Sequence, residues 1–147
     1  MDISRKLRDA VNDHEHGFNC AQAVLKQFCE QLGLEPEKAL MLASGFGGGM
    51  RIGTVCGAIT GGLMALGMAY GFTDPQYKAD INPFTMELIE RFRATVGHVD
   101  CSAIIGIDTC DPVQQAQAKE QGIYADKCPF AIATAITIVY DLLGREG

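Results

Sequence analysis

IGTVCGAITGGLMALGMAYGFT, residues 52–73, contains no charged side chain, and how it is read decides the fold. About twenty apolar residues are enough to cross a bilayer. Two features favour a buried core helix instead. The stretch is rich in glycine, and no cluster of basic residues flanks it. A single span would also leave the other amphipathic segments without a partner for their apolar faces. Gly53, Gly57 and Gly61 recur at a spacing of four, with Gly67 and Gly71 beyond them. That spacing leaves a flat strip along which a second helix can approach closely.

Working outward, the apolar period is helical throughout. Ile3, Leu7 and Val11 share one face of a first helix that reaches about His14. Phe18, Ala21, Val24, Leu25, Phe28 and Leu32 mark a second, stopping at Gly33, and Pro36 opens a third. The glycine cluster Gly45, Gly47, Gly48, Gly49 and Gly53 reads as a tight loop. Beyond the central run, Asp74-Pro75 turns the chain and Pro83 or Phe84 begins a long amphipathic helix ending at Gly97. A cysteine-bearing loop and short turn span His98 to Asp108. Asp111-Pro112 starts a polar helix ending near Gly122, and Asp126 caps a last helix that runs to Gly144. Ala131 to Tyr140 is rich in Ile, Thr and Val, but its length and caps favour helix over strand. The expected fold is all-α: one compact helical bundle over residues 1–147, of about six to seven helices, with a buried Gly-rich central helix.

The chain has 147 residues, 48% apolar and 20% charged, and a net charge of −6. That length suits one domain with its own core. An acidic surface repels phosphate backbones, so no nucleic-acid partner is expected. Residues Met1 to Glu15 lack the apolar centre and cleavage site of a signal peptide. The expectation is therefore a cytoplasmic protein without a membrane span. In that compartment six cysteines stay reduced unless they catalyse, sense or bind metal.

Four of the six follow polar capping residues. Asn19 precedes Cys20, Thr54 lies two before Cys56, Asp100 precedes Cys101, and Asp126 lies two before Cys128. A helix N-terminus carries unpaired N–H groups and about half a positive charge, both of which favour thiolate. Arg51 and Lys127 stand close in sequence to Cys56 and Cys128. Depressed thiol pKa values are the expected result, in a pocket that Arg51 shares. Each cysteine taken alone also fits the role of a small buried apolar residue. Cys29, nine residues after Cys20, falls on the opposite side of a helix at about 100° per residue, and reads as core. Cys110, just before Asp111, is a nearby candidate for a resolving thiol. His14 and His16 read as a solvated helix end rather than as ligands or bases.

There is no C-x-x-C, which argues against a thioredoxin-type pair or a zinc ribbon, and no C-x-x-C-H for haem c. The glycine cluster matches no nucleotide-binding motif.

With these residues in view the chain resembles a known family. Cys20 lies in Gly17-Phe18-Asn19-Cys20-Ala21-Gln22-Ala23-Val24. Cys56-Gly57-Ala58-Ile59-Thr60-Gly61 forms C-G-A-x-x-G after the loop Gly47 to Arg51. Cys101 opens Cys101-Ser102-Ala103-Ile104-Ile105-Gly106-Ile107-Asp108, and Cys128 follows Lys127. The pattern resembles the redox-active C_GCAxxG_C_C family, a group of about this length with four characteristic cysteines. The resemblance covers nearly the whole chain and implies a redox role for Cys20, Cys56, Cys101 and Cys128, without naming a substrate.

Three readings follow. In the first, a thiolate, Cys56 or Cys20, attacks a disulfide in a small substrate or redox partner protein, and a second of the four resolves the mixed disulfide. This would be a thiol oxidoreductase. In the second, Cys20, Cys56, Cys101 and Cys128 hold zinc or an iron–sulfur cluster. In the third, the chain is a non-catalytic interaction or transporter-associated module, with Gly53, Gly57 and Gly61 as its seam. A homodimer is compatible with all three.

Overall fold

The computed structural model describes residues 2–145, and it is helical throughout. In chain order the helices are α1 (Ile3–Glu15), α2 (Cys20–Lys26), α3 (Cys29–Leu32), α4 (Pro36–Ala43), α5 (Gly57–Tyr70), α6 (Asn82–Val96), α7 (Cys101–Ile105), α8 (Pro112–Glu120) and α9 (Ile123–Leu143). Among the described residues there is no strand, only one isolated antiparallel bridge between Val55 and Asp100. The all-α expectation holds. Among the described residues the α-helices number nine rather than six to seven, for two local reasons.

First, the expected single helix from Phe18 to Leu32 is broken at Gln27 and Phe28. The ammonium of Lys6, buried under α1, donates to the Gln27 carbonyl, and Lys26 and Gln27 both donate to Asp13. A carbonyl claimed by a side chain weakens the helical ladder at that point. Second, the loop around Cys101 winds into the short α7, which ends at Gly106 in a left-handed conformation (φ +84°).

The central glycine-rich run forms α5, buried along Gly57, Ala58, Gly61, Ala65 and Leu66. Its glycines serve a contact inside the chain. A Cβ on Gly61 would lie 2.4 Å from the Ala21 carbonyl oxygen, and one on Gly57 would lie 2.9 Å from the Ala21 nitrogen. The flat strip therefore seats α2. The seam proposed for a partner is used within the fold.

Among the described residues one helix, α9, has both the length and the apolarity to cross a membrane. It packs against α1, α5, α6 and α8, as a core helix does. Ile132, Ile136, Val139 and Leu142 from α9 join Ile59 and Leu66 from α5, Leu88 and Phe92 from α6, and Leu25 from α2 in the main core. A satellite core of Ile105, Ala118 and Cys128 is covered by Ile123 and Tyr124. Burial of these last two side chains explains why α9 begins a turn before Asp126. Its N-cap is Gly122, left-handed at φ +74°.

Candidate functional site

Four separate local structures deliver the four cysteines. Asn19 caps α2: its side chain accepts from the Gln22 N–H, and the Gln22 side chain accepts from the Asn19 N–H. Cys20 is thereby fixed at the first helical position. Cys56 is itself the N-cap of α5, not a residue two positions inside it. Thr54, expected as that cap, instead closes the glycine loop, its N–H and hydroxyl both donating to the Gly49 carbonyl.

The Val55–Asp100 bridge sets Cys56 beside Cys101. The Cys56 N–H donates to the Val99 carbonyl at 2.8 Å, and the Cys101 N–H donates to the Thr54 carbonyl at 2.7 Å. Cys128 lies in the second turn of α9, immediately before Pro129. It therefore owes nothing to an N-terminal cap, contrary to the sequence expectation.

All four cysteines line one small enclosed cavity of about 20 Å³, together with Gly48, Gly49, Gly57, Ile104, Ile105 and Ala131. About 10–15 Å³ suffices for one water molecule, so the space suits one atom-sized occupant and no organic cofactor. The glycine loop forms part of its wall by close approach. A Cβ on Gly49, which sits at φ +60°, would lie 2.9 Å from Cys101 Cβ. A much larger groove of about 510 Å³ lies along α1 and α3. It is lined by charged residues such as Asp9, Asp13 and Glu30 and contains none of the four cysteines.

At the cavity wall the Cys20 and Cys128 sulfurs and the His14 ring come together. The ligand atoms of His14, Cys20 and Cys128 all lie within 4.8 Å of one another. His14 comes from the last turn of α1, and Gly17 (φ +104°) reverses the chain so that α2 begins beside it. His14 is therefore part of the site and not a solvated helix end. The sequence signal for it was present in the order helix-terminal His, left-handed Gly and capped Cys. His16 does match the expectation: it is exposed and bonds back to the Asn12 carbonyl.

The thiols are not uniformly acidified. Hydrogen bonding from Cys20, with further help from the His14 hydrogen bond and charge, holds Cys128 down to about 5. The same hydrogen bond, together with burial and the neighbouring sulfurs, pushes Cys20 well up. Burial raises Cys56 to about 12, although the N–H groups of Ala58 and Ile59 pull the other way. Burial and the charge of Cys128 raise Cys101 to about 11, against a hydrogen bond from Thr109. The expectation of four depressed values is thus corrected to one. Desolvation outweighs the helix-start charge at Cys56 and Cys101, and at Cys20 hydrogen bonding to Cys128 leads, with burial behind it.

The remaining candidates lie outside the cavity wall. Arg51 is exposed, held at φ +65° in the glycine loop, and does not line the cavity; Lys127 is exposed as well. Cys29 is buried in the main core, its thiol donating to the Leu25 carbonyl, as expected for packing. Cys110 is exposed and donates to the Arg51 carbonyl.

No curated protein and no solved structure matches the chain significantly. One family pattern, described as "Putative redox-active protein (C_GCAxxG_C_C)", matches residues 18–142, a span that holds all four cavity cysteines. A match over most of the length makes this chain a member of the C_GCAxxG_C_C family.

Proposed function

We propose that the chain is a dithiol redox protein in which Cys128 and Cys20 form the exchanging pair. The observation that carries this reading is the meeting of the two sulfurs, within 4.8 Å of each other and beside His14. A disulfide needs its sulfurs brought to bonding distance in a suitable geometry, and two thiols this close have a short way to move.

Cys128, which takes hydrogen bonds from both Cys20 and His14, is the attacking sulfur. Its thiolate attacks one sulfur of a small disulfide substrate. The substrate S–S bond breaks and the leaving thiolate takes a proton. Cys20 then gives up its proton and attacks Cys128 Sγ in the mixed disulfide, releasing the second substrate thiol. Two electrons pass to the substrate, with one proton from Cys20 and one from solvent, and the protein is left with a Cys20–Cys128 disulfide. Cys56 and Cys101 complete the wall and, staying protonated, add no second charge beside the thiolate. Because Cys128 is buried, a small or extended disulfide suits the site better than a bulky one.

Replacement of the resolving thiol tests the order of events. After incubation with glutathione disulfide, Cys20→Ser is expected to accumulate a stable glutathione adduct on Cys128, whereas the native protein passes through that adduct without accumulating it. An adduct found chiefly on exposed Cys110, with Cys128 unmodified, contradicts the assignment.

A further inference from the structure

We propose that His14, Cys20 and Cys128 form a mononuclear site for a thiophilic divalent ion of the zinc class, and that oxidation of the shared pair releases the ion. The release half of this inference rests on the dithiol reading above. The binding half stands without it.

Three donors from three helices meet here. Each offers one ligand atom, and the three atoms lie within 4.8 Å of one another. Zinc takes Cys sulfur at about 2.3 Å and His nitrogen at about 2.0–2.1 Å, which in a tetrahedron sets its donors roughly 3.4–3.8 Å apart. The observed atoms, within 4.8 Å of one another, have at most about 1.4 Å to close. The remaining position of a tetrahedron has Cys56 and Cys101, on the wall of the same cavity, to draw on.

The arrangement also selects between kinds of metal group. An iron–sulfur cluster places at least two irons and their bridging sulfides between its cysteine ligands. The cavity that the four cysteines line is only about 20 Å³, and Cys20 and Cys128 lie within 4.8 Å of each other. That space suits one ion shared by the two sulfurs and not a cluster.

Ion binding and disulfide formation compete for the same atoms. Binding takes the thiolate of Cys128 and, with loss of one proton to solvent, that of Cys20. Disulfide formation removes both thiolates together with two electrons, which pass to the disulfide substrate, and leaves neutral sulfurs that are poor ligands. His14 weighs differently in the two states: it is a ligand to the ion, whereas the disulfide contains no bond to it and His14 acts there only through the Cys128 thiolate.

The test uses the full chain, reduced and stripped with a chelator, and titrates it with Co²⁺ and then Zn²⁺. The expected result is one equivalent of Co²⁺ with sulfur-to-cobalt charge-transfer absorption and the intense visible bands of tetrahedral coordination, displaced by Zn²⁺. His14→Ala should weaken Zn²⁺ binding by at least ~10-fold; through the Cys128 thiolate it should also slow formation of the Cys20–Cys128 disulfide in an oxidising glutathione buffer, without preventing it at equilibrium. His16→Ala should change neither. Circular dichroism of each variant checks that the helices remain. Native protein that binds no Co²⁺, or a His14→Ala variant that binds as tightly as native, overturns the metal site and leaves the dithiol reading standing. Native protein that binds the ion but forms no Cys20–Cys128 disulfide overturns the release half together with the dithiol reading. Stoichiometric Zn²⁺ that stays bound after that disulfide has formed overturns the release half alone.

Discussion

At the scale of single residues, Cys128 and His14 show what a cysteine pattern can and cannot convey. The spacing of Cys20, Cys56, Cys101 and Cys128 behind polar residues singled out the four that line one cavity. A helix-start charge under every sulfur holds in position only for Cys20, Cys56 and Cys101, and even there burial (Cys56, Cys101) or hydrogen bonding to Cys128 (Cys20) dominates the thiol chemistry. Cys128 lies well inside α9 and owes its acidity to Cys20 and His14. Neither contact is local in sequence, so no reading of capping residues alone reaches it. The consequence is measurable in reduced, metal-free protein. Cys128 is held down to about 5, so its alkylation rate should be flat from neutral to alkaline pH and fall only as acid protonates it near pH 5. His14→Ala removes a hydrogen bond and a positive charge that favour the thiolate. The midpoint should therefore move toward higher pH, as followed by mass spectrometry of the Cys128 peptide. A native midpoint at the ordinary thiol value of about 8.5 would refute the assigned cause.

At the scale of elements, punctuation by Gly and Pro was readable and competition for backbone groups was not. Pro36, Gly33 and Gly97 fall at helix ends as expected. The break between α2 and α3 has no such mark, because Phe28 and Leu32 continue the apolar period and the interruption comes from Lys6 and Asp13 on another helix. The glycine-rich run was legible as a core helix, yet the identity of its neighbour was not, since a flat strip does not say which helix will lie on it. Two glycines of α5 now make opposite predictions. A Cβ at Gly61 would collide with the backbone of Ala21, including its Cα at 2.9 Å. Gly61→Ala must push α2 away and should cost on the order of 1–3 kcal/mol, with Cys20 displaced from Cys128. At Gly67 a Cβ meets nothing within 4 Å. Gly67→Ala should therefore stabilise the helix by roughly 0.5–1 kcal/mol through propensity alone. Thermal unfolding of the two variants beside native protein checks both signs, and equal effects at the two positions would contradict the packing described.

At the scale of the whole molecule, the site is a convergence of distant segments. His14 on α1, Cys20 on α2, Cys56 at the head of α5, Cys101 on α7 and Cys128 on α9 meet only when the bundle is assembled. The bundle class was legible from the helical period, because each amphipathic face needs a partner. The convergence itself depends on tertiary contacts such as the Val55–Asp100 bridge, which joins residues far apart in the chain and leaves no local trace. A disulfide between residues 20 and 128 closes a loop of roughly a hundred residues, for which the chain-entropy model gives a stabilisation of up to about 4–5 kcal/mol. The most direct measurement is a disulfide map of the native chain by non-reducing peptide mass spectrometry across a glutathione series, with a thermal melt at each poise. The account predicts that Cys20–Cys128 is the first bond to form and that the melting temperature rises with it. It is contradicted if Cys20 and Cys128 both remain free thiols while other cysteines pair, or if no bond forms among the four at any poise.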